Sequence, residues 1–370
     1  MPLKNRYKIK ASGKIAVAMS GGVDSSLAAA ILKREGCDIF GITFKMWPKE
    51  ECGSSFGRAC CNLEAVVRAR AVAEDLGIPY YVFDLSKEFK SHVIDYFCGE
   101  YLSGLTPNPC VVCNEKIKFD ALLEKARSLG AEKIATGHYA DVDLNKKTGR
   151  YILKEGKDKA KDQSYFLYRL AQEQMRRAIF PLGGLTKVQA RALAKKYKLR
   201  TYSAASSQDI CFIRDLDYAD YIKEKTAVKI YPGDIVDMSG KVVGRHKGIA
   251  SYTIGQRRGL GVAYKEPLYV TAIDVRQNKV IVGIKKDVLR KSLIADRLNW
   301  IAVEDIYKPM HIMAKIRYNT KKSPAVVTKM DGDTVRVDFD SDQEAPTPGQ
   351  AVVFYDKDIV VGGGWIKEAV

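Results

Sequence analysis

The sequence predicts an α/β protein, a doubly wound parallel sheet over its first 213 residues followed by a β-rich remainder. Three observations predict it. Short apolar segments rich in strand formers alternate with runs of good helix formers as far as about residue 136. Glycines stand just past several of the helical runs, where a left-handed residue closes a helix. Beyond about residue 213 the helical period gives way to short alternating segments separated by Gly and Asp-Gly turns. The change of pattern divides the chain into an α/β domain over 1–213, a small β-rich domain over 214–285 and a C-terminal β-barrel over 286–370.

The elements follow in order. Residues 14–19 form a first strand, the loop 20–26 turns the chain, and 27–33 continue as a helix closed by Gly36. Residues 37–44 read as a second strand. A segment carrying Cys52, Cys60 and Cys61 follows, then a helix over about 63–76 stopped by Gly77 and Pro79, and a third strand over 80–84. A helical stretch over about 88–101 leads into the loop Leu105-Thr106-Pro107-Asn108-Pro109. A helix over 119–129, ended by Gly130, feeds a strand over 133–136 and then Gly137-His138-Tyr139. Residues 141–153 have the polarity of a hairpin turning on Lys146-Lys147-Thr148-Gly149. Thr186 with Gln189 three residues on has capping-box spacing and opens the helical run 191–198. Strands are expected at 235–238, 269–273, 334–339 and 351–355. No internal repeat or low-complexity linker interrupts the chain.

The loop Ser20-Gly21-Gly22-Val23-Asp24-Ser25-Ser26 carries the first chemical signal. Two adjacent glycines let backbone N–H groups approach a ligand closely, and the helix that follows aims its unpaired N–H groups at the same point. A phosphate or pyrophosphate is the natural occupant. Ser20, Ser25 and Ser26 offer hydroxyl donors, and Asp24 can hold Mg²⁺ that bridges phosphate oxygens. The loop is not a Walker A motif, since no Gly-Lys-Ser/Thr follows at the required spacing. For a bare Gly-Gly the plain reading, a serine-rich turn between strand and helix, would be preferred.

Formal net charge is +17 with an isoelectric point near 9.3. Basic surface of this extent fits a polyanionic partner, nucleic acid above all, with solubility as the plain alternative. No apolar run approaches the ~20 residues that span a bilayer, and the first ten residues lack an apolar core of signal type. Eight cysteines stand at 37, 52, 60, 61, 98, 110, 113 and 211. None follows residue 211, where a secreted disulfide scaffold would spread them, so a reducing cytoplasm is expected. Cys110-Val111-Val112-Cys113, after two prolines that stiffen the backbone, has redox or metal spacing. Zinc would need a fourth ligand, for which Cys52, Cys60 and Cys61 are the candidates, although those three read first as structural or incidental. His92, His246 and His311 have no ligand spacing.

Together the motifs resemble one family over nearly the whole chain. They are the loop 20–26; residues 106–114 with Ile117-Lys118-Phe119; Thr136-Gly137-His138-Tyr139-Ala140; Lys161-Asp162-Gln163-Ser164-Tyr165-Phe166-Leu167; Ile210-Cys211-Phe212-Ile213; residues 252–261; Ile316-Arg317-Tyr318; and Thr347-Pro348-Gly349-Gln350 with Gly362-Gly363-Gly364. In this order they resemble the tRNA-specific 2-thiouridylases, enzymes of the PP-loop ATP pyrophosphatase class. The resemblance implies ATP-dependent exchange of the C2 oxygen of a wobble uridine for sulfur. ATP with Mg²⁺ would lie along Ala18, Met19, Ser20, Gly21, Gly22, Val23, Asp24 and Ser25, with Phe44 and Gly137 near the adenosine. Cys113 would be the nucleophile and Cys211 the persulfide carrier. Asn108, Pro109 and Cys110 would border the target base. His138, Lys161, Asp162, Gln163, Arg317, Tyr318 and Gln350 fall on positions that contact tRNA.

The partners so implied are the anticodon arm of tRNA and a sulfur donor protein, such as a cysteine desulfurase or a sulfur-relay protein, with no membrane involved. One departure from the family pattern is Cys110, where many members carry an acidic residue. It makes Cys110, Cys113 and Cys211 candidate ligands of a [4Fe-4S] cluster. The alternatives to be separated are a PP-loop synthetase that adenylates a different substrate, and a non-catalytic RNA-binding, iron-sulfur or redox sensor on the same fold. Lys285, Lys286, Arg290, Lys291, Lys321 and Lys322 are either phosphate contacts or a solvated face.

Overall fold

Residues 13–46, 63–203, 210–213, 218–226 and 228–370 are described by the computed structural model. The expectations for Cys52, Cys60 and Cys61 lie outside the described residues. The chain divides into two units. The first runs up to Val93 and takes in Cys110–Phe212 and Asp358–Val360, and the second comprises Ile94–Pro109, Ile213–Lys357 and Val361–Val370.

In the first unit β1 (Lys14–Ala18) leads through the glycine loop to α1 (Val23–Arg34), then to β2 (Ile39–Lys45), α2 (Leu63–Asp75), β3 (Tyr80–Asp84) and α3 (Ser86–Phe89). A π-helical turn, Lys90–Ile94, precedes α4 (Asp95–Leu102), which belongs to the second unit. The chain returns through α5 (Pro109–Val112), a π-helical stretch Cys113–Ala121, α6 (Leu122–Ser128) and β4 (Ala131–Ala135). The hairpin β5 (Ala140–Leu144) and β6 (Tyr151–Glu155), the helices α7 (Ser164–Leu167) and α8 (Gln172–Arg177), the short β7 (Ala178–Ile179) and α9 (Lys187–Lys196) complete it.

Local chemistry explains several of these ends. Gly36 has φ +82 and Gly77 φ +58. Behind them Cys37 N–H donates to Leu32 O at 3.1 Å and Ile78 N–H to Ala73 O at 3.0 Å, the six-to-one bonds of a glycine-closed helix. Thr186 Oγ1 accepts from Gln189 N–H at 3.2 Å while Gln189 Oε1 accepts from Thr186 N–H at 3.0 Å, so the expected capping box is present.

The sheet of the first unit has the order β3-β2-β1-β4-β7, and every pairing in it is parallel. Such a sheet buries both faces. Accordingly Ile15, Val17, Met19, Ala29, Leu32, Ile39, Val72 and Ala135 form one core, while Val23, Leu27, Ala30, Ile31, Leu182, Ala190 and Ala194 join α1 to α9 in a second. The strand order reverses at β1. Chain leaving β1 runs outward to β2 on one side, and β4 lies on the other, which opens a crevice at the carboxyl ends of β1 and β4.

The second unit differs from the β-rich expectation at its start, where α10 (Tyr218–Lys225) packs Ala219, Tyr221 and Ile222 inward. The strands β8 (Gly233–Val236), β9 (Val242–His246), β10 (Tyr269–Asp274) and β11 (Lys279–Gly283) make a sheet of order β10-β11-β8-β9. The strands β12 (Leu289–Trp300), β13 (Met310–Lys315), β14 (Ser323–Lys329), β15 (Thr334–Glu344), β16 (Ala351–Asp356) and β17 (Ile359–Ala369) run β12-β15-β14-β13-β16-β17. Pairing of β12 with β17 closes them into a barrel around Leu293, Ala314, Val327, Val337, Val352 and Phe354. Ile359 and Val360, which group with the first unit, pair with Lys154 and Leu153 of β6.

The two π-helical segments are a further difference. The helices expected over 88–101 and 119–129 are each part π-helical, Lys90–Ile94 in one and Cys113–Ala121 in the other. The apolar spacing of a sequence does not separate the wider turn from an α-helix, because an inserted residue is accommodated by packing rather than by pattern.

Candidate nucleotide site and cysteine loop

The glycine loop lies at the crevice where the strand order reverses. Gly21 has φ +72, and a Cβ there would stand 2.3 Å from Ala65 O, so conformation and space both demand glycine. Gly22 is the N-cap of α1 with φ −91 and ψ 165, and among the described residues no side chain caps that end. The first N–H groups of α1 therefore face the crevice without a side-chain acceptor, which is the condition for binding an anion.

The serines divide their roles. Ser25 Oγ accepts from Ser20 N–H at 3.0 Å and donates to Gly22 O at 3.2 Å, and Ser26 Oγ donates to Gly22 O at 2.9 Å. The buried hydroxyls of Ser25 and Ser26 thus shape the loop. Ser20 is the exposed one. Its Oγ lies 3.1 Å from Ser25 Oγ, so the three hydroxyls and Gly22 O form one hydrogen-bonded set.

Ala18 ends β1, and Met19 N–H donates to Ile42 O at 2.8 Å, tying the loop to β2. Phe44 is buried toward the carboxyl end of β2. Gly137 follows β4 on the other side of the crevice, and a Cβ there would stand 2.8 Å from both Asp24 C and Ser25 N. Backbone of the β4 loop thereby packs on the first turn of α1. Val23, in that same turn, anchors inward in the α1–α9 core.

Asp24 is the charged centre of the site. Lys187 Nζ donates to its two oxygens at 2.7 and 2.5 Å, and Tyr139 Oη donates to Oδ1 at 2.9 Å. Burial, reinforced by the Asp24 charge, pushes the Tyr139 phenol upward, so it stays a donor. An uncapped helix start, two glycines held against neighbouring backbone and one carboxylate fit a nucleotide triphosphate with Mg²⁺, a cation usually bound through one or two carboxylates plus phosphate oxygens. Lys187 was not singled out from the sequence. Its only signal there was its place beside the Thr186 cap.

The residues matched to tRNA-contacting positions in the first unit have varied surroundings. His138 is buried, its Nδ1 2.7 Å from Thr136 Oγ1, with the rings of Phe119 and Phe180 at 5.9 and 6.0 Å. Asp162 is buried and accepts from Gly156 N–H at 2.8 Å and Ser164 Oγ at 2.7 Å. Burial raises its carboxyl, and these bonds oppose the rise. Gln163 Oε1 accepts from Tyr139 N–H at 3.0 Å. Lys161 is exposed. Asp162 and Gln163 therefore brace the segment that presents Lys161 and Tyr139.

Burial, with the Lys118 charge adding to it, pushes the His138 imidazole down from its ordinary 6.5 to about 3. The unfolded chain binds this proton below pH ~6.5 while the folded chain does not, so the stability His138 contributes above that pH declines as pH falls toward 3. The expected slope is on the order of 1.4 kcal/mol per pH unit. Thermal melts of His138→Gln should lose less stability between pH 6.5 and 4 than the wild type. Parallel curves would show that another group carries the dependence.

Cys110 is half-buried in α5, Cys113 is buried and opens the π-helical stretch, and Cys211 is half-buried. The residues after Cys113 are anchored: Asn114 Nδ2 donates to Phe166 O at 3.3 Å, and Arg169 makes two bonds of 3.2 Å to Glu115. Phe212, next to Cys211, packs edge-on against Phe89 at 6.0 Å. No group of three or more His, Cys, Asp or Glu among the described residues could hold a metal ion. The iron-sulfur cluster considered for Cys110, Cys113 and Cys211 therefore has no ligand group of that size among the described residues.

In the second unit Asn108 is buried and Pro109 begins α5, the helix position that tolerates proline. Gln350 Nε2 donates to Thr106 O at 3.0 Å and Pro107 O at 2.9 Å, and Thr106 N–H donates to Pro348 O at 3.0 Å. Gln350 therefore clamps the chain just ahead of Asn108. Arg317 Nη2 donates to Glu344 O at 3.0 Å and also to Ala345 O. Lys315 Nζ stands 5.3 Å from the Tyr318 ring centre. His246 is buried, accepting from Gly248 N–H at 3.0 Å, whereas His92 and His311 are exposed. Lys285, Lys286, Lys291 and Lys321 are exposed, while Lys322 Nζ donates to Lys357 O at 2.7 Å and Arg290 Nη1 to Asp287 O at 2.8 Å.

No helix of the described residues is long and apolar enough to cross a membrane. Family models match three segments: a tRNA methyl transferase HUP domain over residues 13–215, a tRNA methyl transferase PRC-barrel domain over 219–284 and an aminomethyltransferase beta-barrel domain over 290–366. Among curated proteins, tRNA-specific 2-thiouridylase MnmA 2 of Thermoanaerobacter sp. (strain X514) is 51% identical over 96% of this chain and 98% of its own length. The tRNA-specific 2-thiouridylase MnmA of Clostridioides difficile (strain 630) is 45% identical over 96% and 99%. That of Acetivibrio thermocellus is 48% identical over 96% and 99%. With its parallel-sheet HUP domain, its crevice loop and relatives matched along nearly their full length, the chain belongs to the tRNA-specific 2-thiouridylase family, the tRNA sulfurtransferases.

Proposed function

We propose that this chain adenylates the C2 oxygen of a tRNA wobble uridine with ATP and replaces that oxygen with sulfur carried as a persulfide on Cys211. The observation that carries the reading is the uncapped first turn of α1 behind Gly21 and Gly22, with Gly137 backbone against it and Asp24 within it. A urea-like carbonyl oxygen is a poor leaving group. Attack by O2 on the α-phosphorus breaks the bond to the β-phosphate oxygen, and pyrophosphate leaves with that electron pair. The loop N–H groups and Ser20 stabilise the departing charge. Mg²⁺ held at Asp24 supplies further charge neutralisation when bound.

The terminal sulfur of the Cys211 persulfide then attacks C2, and AMP departs with the former O2. Cys113 thiolate attacks Cys211 Sγ, the S–S bond breaks toward the new C2–S group, and a Cys113–Cys211 disulfide remains for a thiol reductant to reopen. In the other order Cys113 frees hydrosulfide from Cys211, which attacks C2, and the same disulfide closes. A persulfide-bearing donor protein, a cysteine desulfurase or a sulfur relay, reloads Cys211, and the reaction runs in the cytoplasm. We assign Cys110 no cluster, because no group of three or more metal-ligating side chains occurs among the described residues.

Asn108, Pro109 and Cys110 border the base in this reading. Lys161 and Tyr318 meet the anticodon arm directly, and His138, Asp162, Gln163, Arg317 and Gln350 act by holding the surfaces that do. The domains are assigned as 1–213 for catalysis and 214–285 and 286–370 for tRNA. Incubation with unmodified tRNA, Mg-ATP and a persulfide donor should yield AMP, pyrophosphate and 2-thiouridine in equal amounts. ADP as product, a methylated base, or turnover that ignores tRNA would overturn the proposal. Reversing Lys285, Lys286, Lys291 and Lys321 to glutamate should weaken tRNA binding and flatten its salt dependence. Unchanged affinity would remove these lysines from the interface.

A further inference from the structure

We propose that Thr136 is a positioning residue: its hydroxyl holds the His138 ring in the tautomer that carries its proton on Nε2, and the ring offers that proton to an uncharged oxygen of the RNA. The inference rests on the tRNA reading above and adds a direct contact to the holding part that His138 has there. Thr136 directly follows β4, and its backbone N–H is fixed by Ile179 O at 3.1 Å, so the sheet does not need its hydroxyl. Gly137, the next residue, packs on the first turn of α1 at the crevice. Thr136 is 3% exposed and His138 8%.

The tautomer follows from counting protons. Thr136 Oγ1 stands 2.7 Å from His138 Nδ1 and accepts from His138 backbone N–H at 3.5 Å. Among the described residues the hydroxyl has no other polar partner. A buried hydroxyl brings one proton that needs an acceptor and lone pairs that can accept. With the ring proton on Nδ1, both neighbours would donate to Oγ1, and the hydroxyl proton would be left buried without an acceptor. With Thr136 donating to Nδ1, every group is satisfied and the ring proton sits on Nε2. Nε2 has no acceptor among the described residues, yet it is not one of the buried polar atoms that lack a partner, which places it at the exposed edge of the ring.

The same surroundings decide what the donor suits. The rings of Phe119 and Phe180 stand 5.9 and 6.0 Å from the imidazole. Burial and the Lys118 charge keep the imidazole uncharged at neutral pH. It is therefore neither a counter-ion for phosphate nor, with its proton on the open nitrogen, a base. A neutral donor between aromatic walls matches the carbonyl oxygens of unstacked bases and the ribose 2′-hydroxyl, the groups by which single-stranded RNA is read.

Two measurements on the full chain test the proposal. Long-range ¹H–¹⁵N spectra of histidine-labelled protein, with His138 assigned by its loss in His138→Phe, should show an unprotonated, hydrogen-bonded Nδ1 and a protonated Nε2 at neutral pH. Thr136→Ser should keep that pattern, and Thr136→Val should lose the hydrogen-bond shift at Nδ1. Affinity for unmodified tRNA should fall roughly 10-fold in Thr136→Val and recover most of that in Thr136→Ser. The slope of log affinity against log salt should match wild type, because no charge is lost. A wild-type ring with its proton on Nδ1, or equal tRNA affinity in Thr136→Val and wild type, would overturn the inference. So would a salt slope reduced by about one in Thr136→Val, the mark of a cation on a phosphate. The spectra need no tRNA, so a wild-type protein that shows the stated pattern and binds no tRNA would instead overturn the tRNA reading on which the contact rests.

Discussion

Cys113→Ser and Cys211→Ser each abolish formation of 2-thiouridine, by roughly 10³-fold or more, while tRNA-dependent release of pyrophosphate persists. The expected split follows from the order of bonds. In the proposed reaction adenylation would use the α1 turn, Asp24 and Gly137, whereas sulfur transfer would use thiols carried on the π-helical stretch and on residues 210–213. A hydroxyl in place of either thiol neither carries sulfane sulfur nor closes a disulfide. Accumulated adenylated tRNA, detected as AMP label on the RNA, is the positive observation. Thiolation at the wild-type rate in either variant would sink the assignment. Iron analysis of anaerobically purified protein checks the same thiols independently. Four irons per chain, lost in each of the serine variants of Cys110, Cys113 and Cys211, would restore the cluster to these thiols.

Gly21→Ala is expected to remove ATP turnover and to destabilise the fold together. At φ +72 a side chain strains the backbone by about 1–3 kcal/mol. The added Cβ would also lie 2.3 Å from Ala65 O, a backbone atom of α2 that cannot swing aside as a side chain would. The loop must therefore shift, and with it the first N–H groups of α1. Gly22→Ala is the contrasting variant, because φ is −91 there and the nearest atom to a new Cβ is Ser20 Oγ at 3.4 Å. It should melt within a few degrees of wild type. Denaturant midpoints and pyrophosphate release measured on both proteins separate the two effects. Equal stability of Gly21→Ala and wild type would show that the loop is not constrained as its geometry states.

The sequence by itself determined the strand, glycine loop and helix at the start of the chain, the glycine-closed ends of α1 and α2, the Thr186–Gln189 box, the hairpin of β5 and β6 and the family. Each of these is written within a few neighbouring residues, in apolar period, cap chemistry or motif, and local chemistry decides it. The motifs also marked the loop, Gly137 and the two cysteines, and the resemblance they carry supplied the expected roles of Cys113 and Cys211.

Only the tertiary structure decided which side chains distant in sequence meet. Lys187 meets Asp24 across 163 residues, Tyr139 meets it across 115, and Gln350 meets Thr106 across 244. Such contacts arise from which strands neighbour one another in a sheet or barrel, and no local pattern encodes them. For the same reason the residue types of Ser25 and Ser26, and the resemblance that placed Asp162 at a tRNA-contacting position, did not show that Ser25 and Ser26 donate to Gly22 O or that Asp162 accepts from Gly156 N–H and Ser164 Oγ. A polar group buried by packing must find a partner inside the fold, and the fold decides which one. The glycine loop was legible as a phosphate cradle from its composition. That it also holds a lysine against its carboxylate followed only from the packing of α9 on α1.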